Sequence, residues 1–131
     1  MREGEEKHYG LAALFAGIGL IFWANVPALF AGHFAATGLP PATIPLHAFA
    51  NGLEGTGWFA VAFLTLKGRF EAASWLGYFC AGLWAWDMVT TAYLPAMPVP
   101  PHQWLWGPIS VLLMCLALRR LVHASARHMS G

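Results

Sequence analysis

His47, Asn51 and Glu54 stand four and then three residues apart in the otherwise apolar run Ile44–Leu66. On a helix that spacing puts all three side chains on one face. If the run also crosses a bilayer, three polar groups are held where each is costly, which marks them as candidate functional residues. A neutral imidazole such as that of His47 binds heme iron, zinc or copper through one nitrogen while an acceptor orients the other. Glu54 and Asp87 are the two acids inside apolar stretches. Brought together, they would share a proton and act as an acid/base pair. A structural network of the same acids with Asn25, Asn51 and the threonines Thr90 and Thr91 accounts for them equally well.

Other chemistries find less to work with. A dinuclear metal centre repeats a Glu-x-x-His pattern on paired helices, whereas here one stretch alone holds both types and His47 precedes Glu54 by seven. Cys80 and Cys115 form no CxxC pair and read as small buried hydrophobes. His33 and His102 fall in connections, as surface residues, as a second axial ligand or as residues at a pocket mouth, and His8, His123 and His128 carry no readable role. No Ser-His-Asp arrangement, phosphate loop or HExxH motif supports hydrolysis or phosphoryl transfer.

The elements that must position these residues are written in the hydropathy. The 131 residues are 58% apolar and 10% charged, against about 25% charged in a soluble domain. Four apolar stretches, about 9–31, 44–66, 72–94 and 104–122, are each near the ~20 residues that cross a bilayer core. They lack the polar residue at every third or fourth position that a soluble bundle would show. The fold class expected is an all-α, integral membrane four-helix bundle, one domain over residues 1–131, preceded by a short solvated leader.

All seven lysines and arginines lie before the first stretch, between the second and third, or at and beyond the end of the fourth. Connections 33–43 and 95–103 contain none. The positive-inside rule then puts both termini and the Lys67–Arg69 turn in the cytoplasm of a cell (inner) membrane. A net charge of +1 with no separate basic patch argues against nucleic acid as a partner.

Counted inward from the outer ends, His47, Asn51, Glu54, Asn25, Asp87 and the threonines form a polar layer roughly 5–15 Å deep at ~1.5 Å per residue. Trp84, Trp86, Tyr93, Trp104 and Trp106 crowd the same half. Pro27 leaves the carbonyl near Trp23 without its helical donor, and Gly52, Gly55 and Gly57 permit close approach by a helix or a flat ligand.

On these residues the chain resembles the styrene oxide isomerase type of small four-helix membrane enzyme. The shared features are His8-Tyr-Gly-Leu11 opening the first helix, His47 followed by Asn51-Gly52, and Trp84-Ala-Trp86-Asp-Met-Val89 followed by Tyr93. The resemblance implies heme b with His47 as the axial ligand, a ferric iron acting as Lewis acid on an epoxide, and a carbonyl product. It makes Asn51 a polar partner, or Glu54 in its place one turn on, and Tyr93 a substrate contact. Trp84, Trp86 and Tyr93 would wall a dry pocket around heme and a small hydrophobic substrate, with Asp87 among the catalytic candidates. Membrane lipid and further copies of the chain in a homo-oligomer are the other partners expected.

A second resemblance, to DoxX-like four-helix membrane proteins, rests on Pro27-Ala-Leu-Phe30, the stretch 34–40, the small polar second helix and Asp87. It implies an auxiliary membrane subunit in which Asn51, Glu54 and Asp87 are packing residues.

Overall fold

The computed structural model describes residues 3–33, 40–90 and 101–130, with side chains over 8–33, 40–90 and 105–127. The chain is all-helical: α1 (Glu3–Phe30), α2 (Ile44–Leu66), α3 (Phe70–Met88) and α4 (Pro101–Ser130), with a 3-10 turn at Pro41–Thr43 leading into α2. No strand occurs among the described residues. Residues 3–7, expected as a leader, are the first turns of α1. At the other terminus α4 runs on past 122, because residues 123–130 contain neither proline nor glycine to stop it.

Glycine sets the reversals. Gly32, at φ 81°, closes α1, and the His33 amide donates back to the Ala28 carbonyl at 3.1 Å. Gly68, at φ 72°, closes α2 in the same way, with the Arg69 amide on the Leu64 carbonyl at 2.9 Å. That left-handed cap satisfies orphan carbonyls and turns the chain within three residues, so α2 and α3 run antiparallel. α3 begins at Phe70, two residues before the expected boundary, because the Gly68 cap ends so tightly.

Packing is mostly between sequence neighbours: α1 on α2 most extensively, then α3 on α4 and α2 on α3. The core draws Phe15 and Phe22 from α1, Trp58 and Val61 from α2, Ala73 and Cys80 from α3, and Met114, Leu118 and Leu121 from α4. Phe15 stacks on the fully buried Trp58 with ring centroids 5.8 Å apart. α1 and α2 touch backbone to backbone at Gly19 and Gly55, where a Cβ on either would stand 2.9 Å from the other's carbonyl oxygen. Gly57 makes the same kind of room for Cys80, and Gly77 for Leu118.

The exterior is apolar. Leu20 and Ile21 on α1, Leu46, Phe49 and Phe63 on α2, Trp75, Phe79 and Trp86 on α3, and Leu112 and Leu113 on α4 all face outward. Two helices, over His8–Phe30 and Leu105–Arg127, are long and apolar enough to cross a membrane. Only 22% and 28% of their most apolar windows are buried, unlike the core helix of a soluble protein. α2 and α3 fall short of the same measure because His47, Asn51, Glu54, Asp87 and the tryptophans dilute their hydropathy.

Candidate functional site

The Gly19–Gly55 crossing brings the last turns of α1 against the first turns of α2, which places Asn25 beside Asn51. Asn25 Nδ2 donates to Asn51 Oδ1 at 3.1 Å, and Asn51 Nδ2 donates to the His47 carbonyl at 2.9 Å. Asn51 is thereby held at both ends of its amide. The bridge ties α1 to the turn of α2 that carries His47, whose side chain is half-buried.

Glu54 points into the core. The Trp58 indole donates to Glu54 Oε2 at 3.2 Å, with i, i+4 spacing on α2. The second oxygen, Oε1, is buried with no hydrogen-bond partner. Asp87, near the end of α3 and half-buried, lies within electrostatic reach of both Glu54 and His47. The three ionisable groups expected to share a layer are thus near one another across the α2–α3 interface, with Asp87 between the other two in charge interaction. Thr90 caps this end of α3 by donating to the Trp86 and Asp87 carbonyls at 2.9 and 3.2 Å.

The two tryptophans of α3 part company. Trp84 turns inward, edge-on to Phe22 with centroids 5.1 Å apart, and its indole donates to Ser110 Oγ at 3.1 Å. Ser110 passes the chain on to the Gly107 carbonyl at 2.6 Å. Trp86, two residues on, faces out and is 68% exposed. An offset of ~200° around a helix allows only one of them to line an interior site. Tyr93 and Thr91 lie outside the described residues, as do the side chains of His102 and Trp104. His33 is exposed at the end of α1.

Three contributors escape a sequence reading. Trp58 had a signal in its spacing from Glu54. Trp23 fills the notch over Gly52 and Gly55, where a Cβ on Gly55 would meet its ring at 2.5 Å; of the two occupants expected there, a helix or a flat ligand, the neighbouring helix takes the place. Ser110, 26 residues from Trp84, had no local signal.

Among the described residues no three of His, Cys, Asp and Glu come together in a way that could hold a bare metal ion. One axial histidine is a different demand, since a porphyrin brings four nitrogen ligands of its own. His47, half-buried and in charge interaction with Asp87, is the residue that could supply it. Cys80 is buried and Cys115 half-buried, and both are free thiols. Comparison with family models, with curated proteins and with solved structures finds no match to this chain.

Proposed function

We propose that the chain is a four-span membrane protein with both termini in the cytoplasm, and that it rearranges a small hydrophobic epoxide to a carbonyl compound at a heme b held by His47. The observation that carries the reading is the polar layer itself. Asn25, His47, Asn51, Glu54 and Asp87 come from three helices to one end of an otherwise apolar bundle. Outward-facing leucines, phenylalanines and tryptophans on all four helices support immersion in lipid. The end of the bundle opposite that layer carries Lys67, Arg69, Arg119 and Arg120, which supports the orientation.

Ferric heme, when bound, supplies a Lewis acid that weakens an epoxide C–O bond without an initial proton transfer. The chain's own residues do the remaining work. His47 would hold the group through one ring nitrogen, and Asp87, in charge interaction with it, would orient the ring. Asn51, fixed by Asn25, locks the turn from which His47 projects. Trp84, pinned by Phe22 and Ser110, offers a rigid aromatic wall that excludes water, and its face stabilises a developing cation by roughly 1–2 kcal/mol. Excluding water favours rearrangement over hydrolysis to a diol.

The test is the visible absorption spectrum of protein purified in detergent from heme-replete cells. Wild type shows a Soret band and His47→Ala loses it. A protein that stays colourless after reconstitution with heme rejects the reading.

One observation favours a second reading. The Asn25–Asn51 and Trp58–Glu54 bonds are satisfied inside the protein without any ligand. On that view the layer specifies helix pairing and the protein is a non-enzymatic membrane subunit. Both readings leave the apolar exterior to lipid or to further copies of the chain in a homo-oligomer.

A further inference from the structure

At the end of the bundle remote from His47, the α2–α3 reversal and the last turns of α4 frame a cleft of about 390 Å³. That volume falls within the ~300–1,000 Å³ of small-molecule sites. Arg69, Glu71 and Trp75 line it from the turn and α3, and Ser125 from α4. Arg69 and Glu71 are both exposed, and among the described residues no ion pair engages either. The cleft therefore offers one cation, one carboxylate and one hydroxyl, each available to a ligand. Beside it the surface is apolar: Trp75 is 74% exposed and Phe79, one turn along α3, is 63% exposed.

An occupant that satisfies all of this needs an anionic group for Arg69, a charged hydrogen-bond donor for Glu71 and a hydrocarbon tail to lie along Trp75 and Phe79. A soluble phosphate lacks the tail and the donor. A purely anionic lipid leaves Glu71 facing like charge. We infer that the cleft seats the headgroup of a phospholipid bearing both a phosphodiester and a primary ammonium, the phosphatidylethanolamine class. The phosphodiester sits on Arg69, where charge-assisted hydrogen bonding is strongest. The ammonium meets Glu71, and Ser125 donates or accepts as the headgroup requires. This inference rests on the membrane placement proposed above and not on heme.

Native mass spectrometry of the detergent-purified protein tests it, with phosphatidylethanolamine, phosphatidylglycerol and phosphatidylcholine of equal chain length. Wild type retains phosphatidylethanolamine several-fold better than the other two. Arg69→Ala lowers that retention roughly fivefold, the scale of one basic residue at a lipid surface. Glu71→Gln removes the preference over phosphatidylglycerol. Arg119→Ala, exposed at the same end outside the cleft, leaves the order unchanged. A wild-type preference for phosphatidylglycerol, or equal effects of Arg69→Ala and Arg119→Ala, overturns the inference in favour of diffuse surface charge. Displacement of the lipid by soluble phosphoethanolamine at equal concentration overturns it in favour of a soluble ligand. Arg69→Lys, which keeps the charge, retains most binding and separates loss of the site from loss of fold. A protein that remains in the aqueous phase without detergent fails the membrane reading itself, before any lipid is compared.

Discussion

Gly55→Ala puts one methyl group where α1 and α2 meet. The added Cβ would lie 2.5 Å from Trp23 Cδ1 and 2.9 Å from the Gly19 carbonyl oxygen. A rotamer change of Trp23 relieves the first contact, but the second is with backbone, so the helices must separate. Overpacking of this kind costs about 1–3 kcal/mol. Against it stands the intrinsic preference of a helix for alanine over glycine, at most about 1 kcal/mol. Gly82→Ala isolates that second effect, because a Cβ there meets nothing within 4 Å. The propensity gain is common to both, so the expected difference between the variants is the overpacking cost, about 1–3 kcal/mol in favour of Gly82→Ala, read from reversible unfolding in mixed micelles. Separation of α1 from α2 also pulls Asn25 from Asn51, so Gly55→Ala loosens the turn that carries His47 and weakens heme retention if heme is bound there. Equal stability of the two alanine variants would refute the backbone contact and the site geometry built on it.

Other expectations follow from single contacts. A double-mutant cycle of Asn25→Ala and Asn51→Ala yields a coupling of about 0.6 kcal/mol, and no more than about 1.7; zero coupling removes the bridge from the lipid-embedded state. Glu54→Met deletes the buried oxygen that lacks a partner together with the Trp58 hydrogen bond. Stability then falls by about 1–3 kcal/mol, since the fully buried Trp58 indole N–H is left without its acceptor, and epoxide turnover falls with it. Large destabilisation with turnover intact would assign Glu54 to packing alone. Trp84→Phe loses the hydrogen bond to Ser110 and costs about 1 kcal/mol, whereas Trp86→Phe on the outer face leaves stability and turnover unchanged.

Much of the architecture could be read from composition and spacing. Helix type, the order of four helices and the bounds of α2 follow from long apolar stretches broken by Pro40-Pro41 and Gly68. The shared layer of His47, Asn51 and Glu54 follows from their spacing on α2, and the proximity of Asp87 follows from equal depth on an antiparallel neighbour. Facing is where one-dimensional reasoning gave out. Trp84 and Trp86 look equivalent in sequence, and the rotation of α3 against Phe22 and Ser110 separates them. Trp23 reads as one more apolar residue until the α1–α2 crossing lays its ring over two glycines 29 and 32 positions away. Such pairings depend on how one helix is rolled against another, which local hydropathy does not encode.

The close glycine contacts also differ in the freedom they leave to sequence change. Gly57 is held small by the Cys80 side chain and Gly77 by that of Leu118. At those pairs a larger residue on one helix can be accommodated by a smaller one on the other, so the two positions should drift together. Gly19 and Gly55 have no such escape. Each is confined by the other's carbonyl oxygen, which every amino acid possesses, and no replacement at one position makes room at the other. The crossing between α1 and α2 is thus a point where the chain's mutational history is closed on both sides, while the neighbouring contacts remain open to exchange.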